Sequence, residues 1–391
     1  MDKRLFLLAL GAFAVSTVAF VFAGLLPLIS DETGVTVAEA GYLVSAYSMA
    51  YALGTPVLSA LTGGMNRRRA IALALSFFVL GNLVAALSGG FLPLFGAQVI
   101  IGLAGGLFAA TAQAAAVTLA GPERRAAAIS VVVGGTTFAL AFGAPAGSFL
   151  AHMVGWRGAF VMLAVVGFFC LSALWIWLPR TIEGTHIPLS ERVLVVRRPG
   201  ILLSLAVSVL YLTGGFAVIA YLGPIATQGV GLSPDYLPMV LLAYGLGAIL
   251  GNYASGRLAD RLGASRVVVG SMLLAALFSL GFSVLMRFAP ANIAGPLLFA
   301  LIVPWGFVGW TFPPAQASRL VGFAPDVAGL ALALNASAIY LGVALGTMVG
   351  GRVLEYADVS DLGIAGAAFP LVALMLMHLA RRESRRVALM G

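Results

Sequence analysis

The side chains able to hold a ligand within the long hydrophobic stretches of this chain are uncharged. At middle depth they are Thr17, Tyr47, Tyr51, Gln98, Gln113, Thr136, Thr137, Tyr211, Thr213, Tyr221, Tyr244, Trp305, Trp310, Asn335 and Tyr340. Hydroxyls, amides, indoles and rings of this kind grip a small molecule by hydrogen bonds and aromatic contact. Tyr47 and Tyr51 stand four apart and share one helix face. Gln98 and Asn335 are singled out because an amide in lipid needs a partner. A lone Tyr or Trp serves helix packing or an interfacial belt equally well. No Asp, Glu, Lys or Arg sits at middle depth. Proton-coupled carriers usually expose such a group there, and a neutral pathway implies a substrate that is not strongly cationic.

Nothing in the sequence suits catalysis. The three His are far apart, so no zinc-binding pair exists. No Ser/His/Asp set lies at membrane depth. A phosphate-cradling Gly-Lys-Ser/Thr loop is also missing, which argues against an ATP-driven pump. Cys170 is the one cysteine and cannot form an intrachain disulfide. The chain is read as a non-enzyme with no cofactor and no metal.

The elements that position these residues follow from hydropathy. Of 391 residues 61% are hydrophobic and 9% charged, against about 25% charged in soluble domains. Eleven stretches carry no Asp, Glu, Lys or Arg and can each cross a bilayer: Leu5–Ser30, Ala40–Asn66, Ala70–Pro122, Ala126–Trp156, Gly158–Pro179, Pro199–Pro234, Tyr236–Gly256, Val267–Met286, Phe288–Ser318, Val327–Gly351 and Leu362–Ala380. A span takes about 20 residues. The third stretch has 53 and is broken by Ser88-Gly89-Gly90 and Pro93, so it holds two. Twelve helices result, because lipid forbids unpaired backbone. The first is too long for a signal peptide and lacks a cleavage-like site, so it reads as retained.

Orientation follows from Lys and Arg. With the N-terminus cytoplasmic, 19 of the 22 basic residues, Arg319 among them, fall on that side in loops. Arg157, Arg287 and Arg352 fall on the other. Both termini are therefore expected in the cytoplasm. The net charge of +8 is spread over short loops rather than one face, which speaks against nucleic acid.

The loop from Pro179 to Pro199 divides the chain into an N-terminal six-helix bundle (1–178), a cytoplasmic linker (179–199) and a C-terminal six-helix bundle (200–391). An internal repeat supports the division. At an offset of 197, Ala46-Tyr47 matches Ala243-Tyr244, Gly54 matches Gly251, Arg69 matches Arg266 and Pro27 matches Pro224. Pro122-Glu123 and Pro325-Asp326 also correspond after the fourth and tenth spans.

Duplicated halves in parallel orientation are the plan of the major facilitator type of transporter, with a midplane site between the halves. The stretch Gly256-Arg257-Leu258-Ala259-Asp260-Arg261-Leu262-Gly263 resembles that superfamily's loop signature. The resemblance implies that Asp260 pairs with basic residues such as Arg257 and Arg261 and locks the cytoplasmic side in the outward-open state. The first-half copy has Gly63 where the acid belongs but keeps Arg67-Arg68-Arg69. In the fifth span, Gly134-Gly135-Thr136-Thr137 and Gly143-Ala144-Pro145-Ala146-Gly147 resemble the motif of the antiporter branch. Gly143 and Gly147 share a face that permits close packing, and Pro145 can bend the helix. A second small-residue ridge runs along Gly342, Gly346 and Gly350. Residues 20–27 resemble the first span of arabinose-efflux-permease-like and drug:proton antiporter exporters.

Two departures stand out. Relatives often carry Glu where Ala19 lies and Arg where Gln98 lies. The family implies proton antiport, whereas the residues argue against its usual form, leaving Asp31, Glu32 or His152 as vestibule groups. The expectation is an all-α membrane protein of the bacterial cytoplasmic membrane, a monomer that exports a drug, sugar or nucleoside-like metabolite by alternating access. A uniporter or importer of a neutral solute is the alternative.

Overall fold

The computed structural model describes residues 2–120, 125–182, 194–324 and 327–390. Most of the expected linker, 183–193, lies outside the described residues, as do Pro122-Glu123 and Pro325-Asp326.

Twelve long helical rods make up the described chain. They are α1 (Arg4–Thr33), α2 (Val37–Leu61), α3 (Arg67–Leu87), α4 (Phe91–Ala120), α5 (Arg125–Phe138, continued through Ala139–Gly143 and Ala144–Val154), α6 (Trp156–Trp177), α7 (Pro199–Ile219), α8 (Leu237–Leu262), α9 (Ala264–Phe288), α10 (Ala291–Phe323), α11 (Ala328–Tyr356) and α12 (Leu362–Met390). Eleven of the helices are long and apolar enough to cross a membrane. The remaining one, α2, carries Tyr42, Ser45, Tyr47, Ser48 and Tyr51, which dilute its hydropathy. Its entry is fixed by a capping box in which Thr36 Oγ1 accepts from the Glu39 N–H at 3.1 Å and Glu39 accepts from the Thr36 N–H at 2.7 Å, satisfying donors that every helix start leaves open.

Two helices depart from regularity at proline. In α5 the residues before Pro145 form a π-turn, Ala139–Gly143, with the Ala144 N–H bonding to the Ala139 carbonyl. Pro145 has no N–H to give, and the widened turn reassigns the bonds around it. The stretch Pro199–Pro234 was expected to be one rod. Instead α7 ends at Ile219, and a short turn Leu222–Pro224 and a π-turn Ile225–Gly229 follow. Gly223-Pro224 breaks the helix there, whereas Pro27 stays inside α1.

The small-residue ridges seat helices on one another. Gly143 and Gly147 face Thr17 and Val21, four apart on α1. Gly342, Gly346 and Gly350 lie over the carbonyls of Val209, Thr213 and Ala217 on α7. A side chain at any of these positions would hold the helices apart. One sequence expectation needs correction. Arg319, assigned above to a loop, lies within α10 and is 8% exposed, because α10 continues past the last apolar run to Phe323.

Candidate functional site

Two faces of the molecule are chemically distinct. The terminal face carries the start of α1; the far face carries the α1–α2 and α3–α4 turns. On the far face α2 and α11 pack together, Ser45 Oγ donating to the Ala344 carbonyl at 3.1 Å. Gly41 lies against the Tyr221 hydroxyl, Gly351 against the Ala38 carbonyl, and Gly245 of α8 against Ala141 of α5. These contacts join the first six helices to the last six and close the seam on that side.

Below this seal a cavity of about 710 Å³ lies between α1, α2, α4 and α5 on one side and α7, α8, α10 and α11 on the other. Its lining runs toward the terminal face, reaching Ile129, Gly256, Ala317 and Leu332. Aromatic rings form much of the wall. Tyr51 stacks on Tyr340 across the seam with ring centres 3.6 Å apart. Phe20 of α1 meets Trp310 edge-on at 5.9 Å and Phe216 at 6.1 Å. Tyr211 stacks on Phe312 at 3.8 Å. The polar wall atoms are partnered in a way that fixes the rings: Trp310 Nε1 donates to the Tyr244 hydroxyl (2.9 Å), Trp305 Nε1 to Ser279 Oγ (3.2 Å) and Ser16 Oγ to Thr136 Oγ1 (3.0 Å). Asn252 Nδ2 donates to Thr137 Oγ1 at 3.0 Å, tying α8 to α5. None of the lining residues is Asp, Glu, Lys, Arg or His.

Of the residues singled out in the sequence, Tyr51, Gln113, Thr136, Thr137, Tyr211, Tyr244, Trp305, Trp310, Asn335 and Tyr340 line this cavity. Thr17 does not; its hydroxyl bonds back to the Phe13 carbonyl at 2.8 Å and its side chain lies against Gly143, hydroxyl oxygen nearest. Thr213 does not line it either; its hydroxyl bonds back to the Val209 carbonyl at 2.8 Å, and its backbone carbonyl lies against Gly346 of α11. Tyr47 donates to the Val15 carbonyl at 3.0 Å, and Tyr221 to the Thr347 carbonyl at 2.8 Å. Both are helix-to-helix struts. Gln98 is fully buried away from the cavity, and neither amide atom has a partner among the described residues.

The lining also contains residues the sequence reading passed over. Ala12, Val15, Ser16, Ala19 and Phe20 line it from α1. Their spacing is one helix face, a signal that would have favoured Ser16 over Thr17. Asn252 of α8 lines it as well.

Of the gating candidates, Pro145 lies just past the π-turn and Gly143 and Gly147 pack on α1, as described. Arg257 and Asp260 are exposed, as is Arg261. Arg257 lies over the Tyr253 ring at 4.5 Å and donates to its hydroxyl at 2.8 Å. Asp260 makes no ion pair among the described residues. In this structure the seam is open on the terminal face, so the pairing implied for Asp260 in the opposite state is not engaged. The vestibule groups lie elsewhere: Glu32 pairs with Arg157 and accepts from Trp156 Nε1 at 2.6 Å, while the His152 ring bonds to the Ser148 carbonyl at 2.7 Å.

Two bundles that enclose a polar-flecked hollow, sealed on one side and open on the other, define a membrane carrier rather than an enzyme. The chain belongs to the Major Facilitator Superfamily, whose family model matches residues 8–233 and 205–389. It is 28% identical to the MFS-type transporter YbcL of Bacillus subtilis, over 95% of this chain and 94% of that one. It is 29% identical to the inner membrane transport protein YdhP of Escherichia coli (98% and 97%) and 29% identical to a chloramphenicol resistance protein of Streptomyces lividans (96% and 95%). Among solved structures, a peptide transporter POT and a D-xylose–proton symporter each superpose with a TM-score of 0.74. They are 17% and 16% identical and cover 98% and 95% of this chain, which in turn covers 96% of each. The protein is thus a multi-pass membrane transporter.

Proposed function

We propose that this chain exports a small, uncharged, aromatic organic molecule across the bacterial inner membrane by alternating access. Residues 1–178 and 200–391 would rock as units about the cavity, working as a monomer. The observation that carries this reading is the cavity wall itself: rings and neutral hydrogen-bonding groups, with no ionisable acid or base. A cation entering it would lose water without gaining a counter-ion, at a cost of several kcal/mol. Rings and amides instead suit a neutral planar solute. The likeness to a chloramphenicol resistance protein supports export of such a compound.

Charge placement supports cytoplasmic termini. The far-face arginines are each paired, Arg157 with Glu32, Arg287 with Asp361 and Arg352 with Glu355. On the terminal face Arg67, Arg69, Arg257, Arg261 and Arg266 make no ion pair among the described residues. The excess of Lys and Arg on the terminal face supports placing it inside, and on that reading this is the inward-open state.

The test is transport in proteoliposomes with a panel of neutral aromatic compounds that includes chloramphenicol. Movement of at least one of them is expected; if none moves under any gradient, the reading fails. The second reading, uniport, is favoured by the absence of a carboxylate from the cavity wall. Transport that survives collapse of the proton gradient would select it over antiport.

A further inference from the structure

The buried arginine of α10 belongs to a chain of hydrogen bonds that ends at the cavity. Arginine can only donate. Arg319 Nη1 donates to Gln316 Oε1 at 3.1 Å. That commits the Gln316 amide, whose Nε2 must point the other way, to the Ser204 carbonyl at 2.7 Å and Ser208 Oγ at 3.4 Å. Ser208 has a single proton. With Gln316 on its oxygen, that proton has two acceptors, Asn335 Oδ1 at 2.6 Å and the Ser204 carbonyl at 3.2 Å, and the nearer Asn335 oxygen takes it. The Asn335 Oδ1 is thereby directed at Ser208. Its Nδ2 has no partner among the described residues, and Asn335 lines the cavity.

We infer that Arg319, though outside the cavity, sets the polarity of the whole chain and makes Asn335 a hydrogen-bond donor toward the substrate. The substrate must then present an acceptor oxygen at that wall, as a nitro, carbonyl, ether or sulfonyl group does. Reversing Asn335 would place its Oδ1 in the cavity and push the Ser208 proton onto the longer bond to the Ser204 carbonyl at 3.2 Å. Arg319 is accordingly a positioning residue. The first half has no such device: the Ala-Gln-Ala of residues 112–114 repeats as 315–317, but Ala116 occupies the place of Arg319.

The inference rests on the cavity being the substrate site, and its test separates the two ideas. Three nitroaryl/arylamine pairs, chloramphenicol and its arylamine reduction product among them, are titrated onto the purified full-length protein by tryptophan fluorescence. Each pair exchanges an acceptor for a donor on one neutral scaffold. Wild type should bind the nitro member about tenfold more tightly, the scale of one mispaired buried group. Arg319→Lys, which still donates, should keep that ratio. Arg319→Met frees Gln316 to turn and should bring the ratio below about twofold. Asn335→Asp, which offers only acceptors, should invert it; if Arg319→Met does not fold, Gln316→Met, which cuts the chain at the link Arg319 acts through, should bring the ratio below about twofold, and an unchanged ratio there overturns the inference. Equal binding of both members by wild type, or one ratio shared by the Lys and Met variants, overturns the inference while leaving transport intact. Failure of all six compounds to bind overturns it too, and the wider transport panel then judges the carrier reading.

Discussion

The fourth and tenth helices descend from one repeated unit, yet they treat the same side chain in opposite ways. Gln316 of α10 is fully buried and has partners at both ends of its amide. Gln113, its counterpart in α4, is half-buried on the cavity wall. Gln98, four turns earlier in α4, is as buried as Gln316 but has no partner for either atom among the described residues. Burial alone therefore says nothing about what a polar residue contributes. A satisfied amide organises its neighbours, an orphaned one is a net cost, and one facing a cavity is available to a ligand.

Replacing each glutamine by leucine exposes the contrast, because the same change in shape has three different consequences. Gln316→Leu should have the largest effect. It removes a partner from Arg319 and leaves the Ser204 carbonyl and Ser208 with fewer bonds in a dry interior. We expect a loss of about 3 kcal/mol, read as a lower melting temperature of the purified protein in nanodiscs. A variant that melts like wild type would mean the network contributes no stability.

Gln98→Leu should act in the reverse direction. Leucine fills nearly the same volume without two unpaired polar atoms, and stability should rise by about 1 kcal/mol. A fall of that size in the same melting assay would mean that ordered water satisfies the amide. Gln113→Leu should shift stability by less than about 0.5 kcal/mol, while initial transport rates in proteoliposomes drop severalfold through loss of a polar wall group. Unchanged rates would remove Gln113 from the pathway.

The sequence made the spans legible because lipid imposes one rule on every segment: uninterrupted apolar length. The same rule hid what happens inside the spans. Counting charges ended the tenth span at Ser318, yet α10 runs on to Phe323 and buries Arg319 with a glutamine one turn away. That placement depends on α7 and α11 supplying Ser204, Ser208 and Asn335, which no local pattern reveals. The π-turn before Pro145 and the break after Ile219 were signalled by proline, but a proline does not say whether a helix widens, breaks or, as at Pro27, continues. At the cavity, most of the singled-out residues on the wall are aromatic or amide side chains. Thr17 and Thr213 lie off that wall, each hydroxyl bonded back to the carbonyl one turn earlier in its own helix. Helical phase along α1, read from Ala12 through Phe20, was the overlooked signal.

The two halves differ once more at their loop signatures, where Asp260 is kept and Gly63 replaces its counterpart. Asp260 is exposed and unpaired among the described residues in the terminal-face-open state, so Asp260→Asn removes no bond from this structure. Its effect on melting should be the smallest of all, within about 0.5 kcal/mol. The basic residues it would meet, Arg257 and Arg261, flank it on α8 with no acid of their own. If the seam closes on the terminal face during the cycle, Asp260 gains partners only then, and a neutral Asn weakens the closed state alone. The expected outcome is an unchanged melting temperature with a slower transport cycle, and with a cysteine introduced at Leu332, on the cavity wall, becoming more reactive to water-soluble maleimide. Equal labelling and equal rates in Asp260→Asn and wild type would show that the second-half signature, like the degenerate first-half copy, no longer latches the carrier.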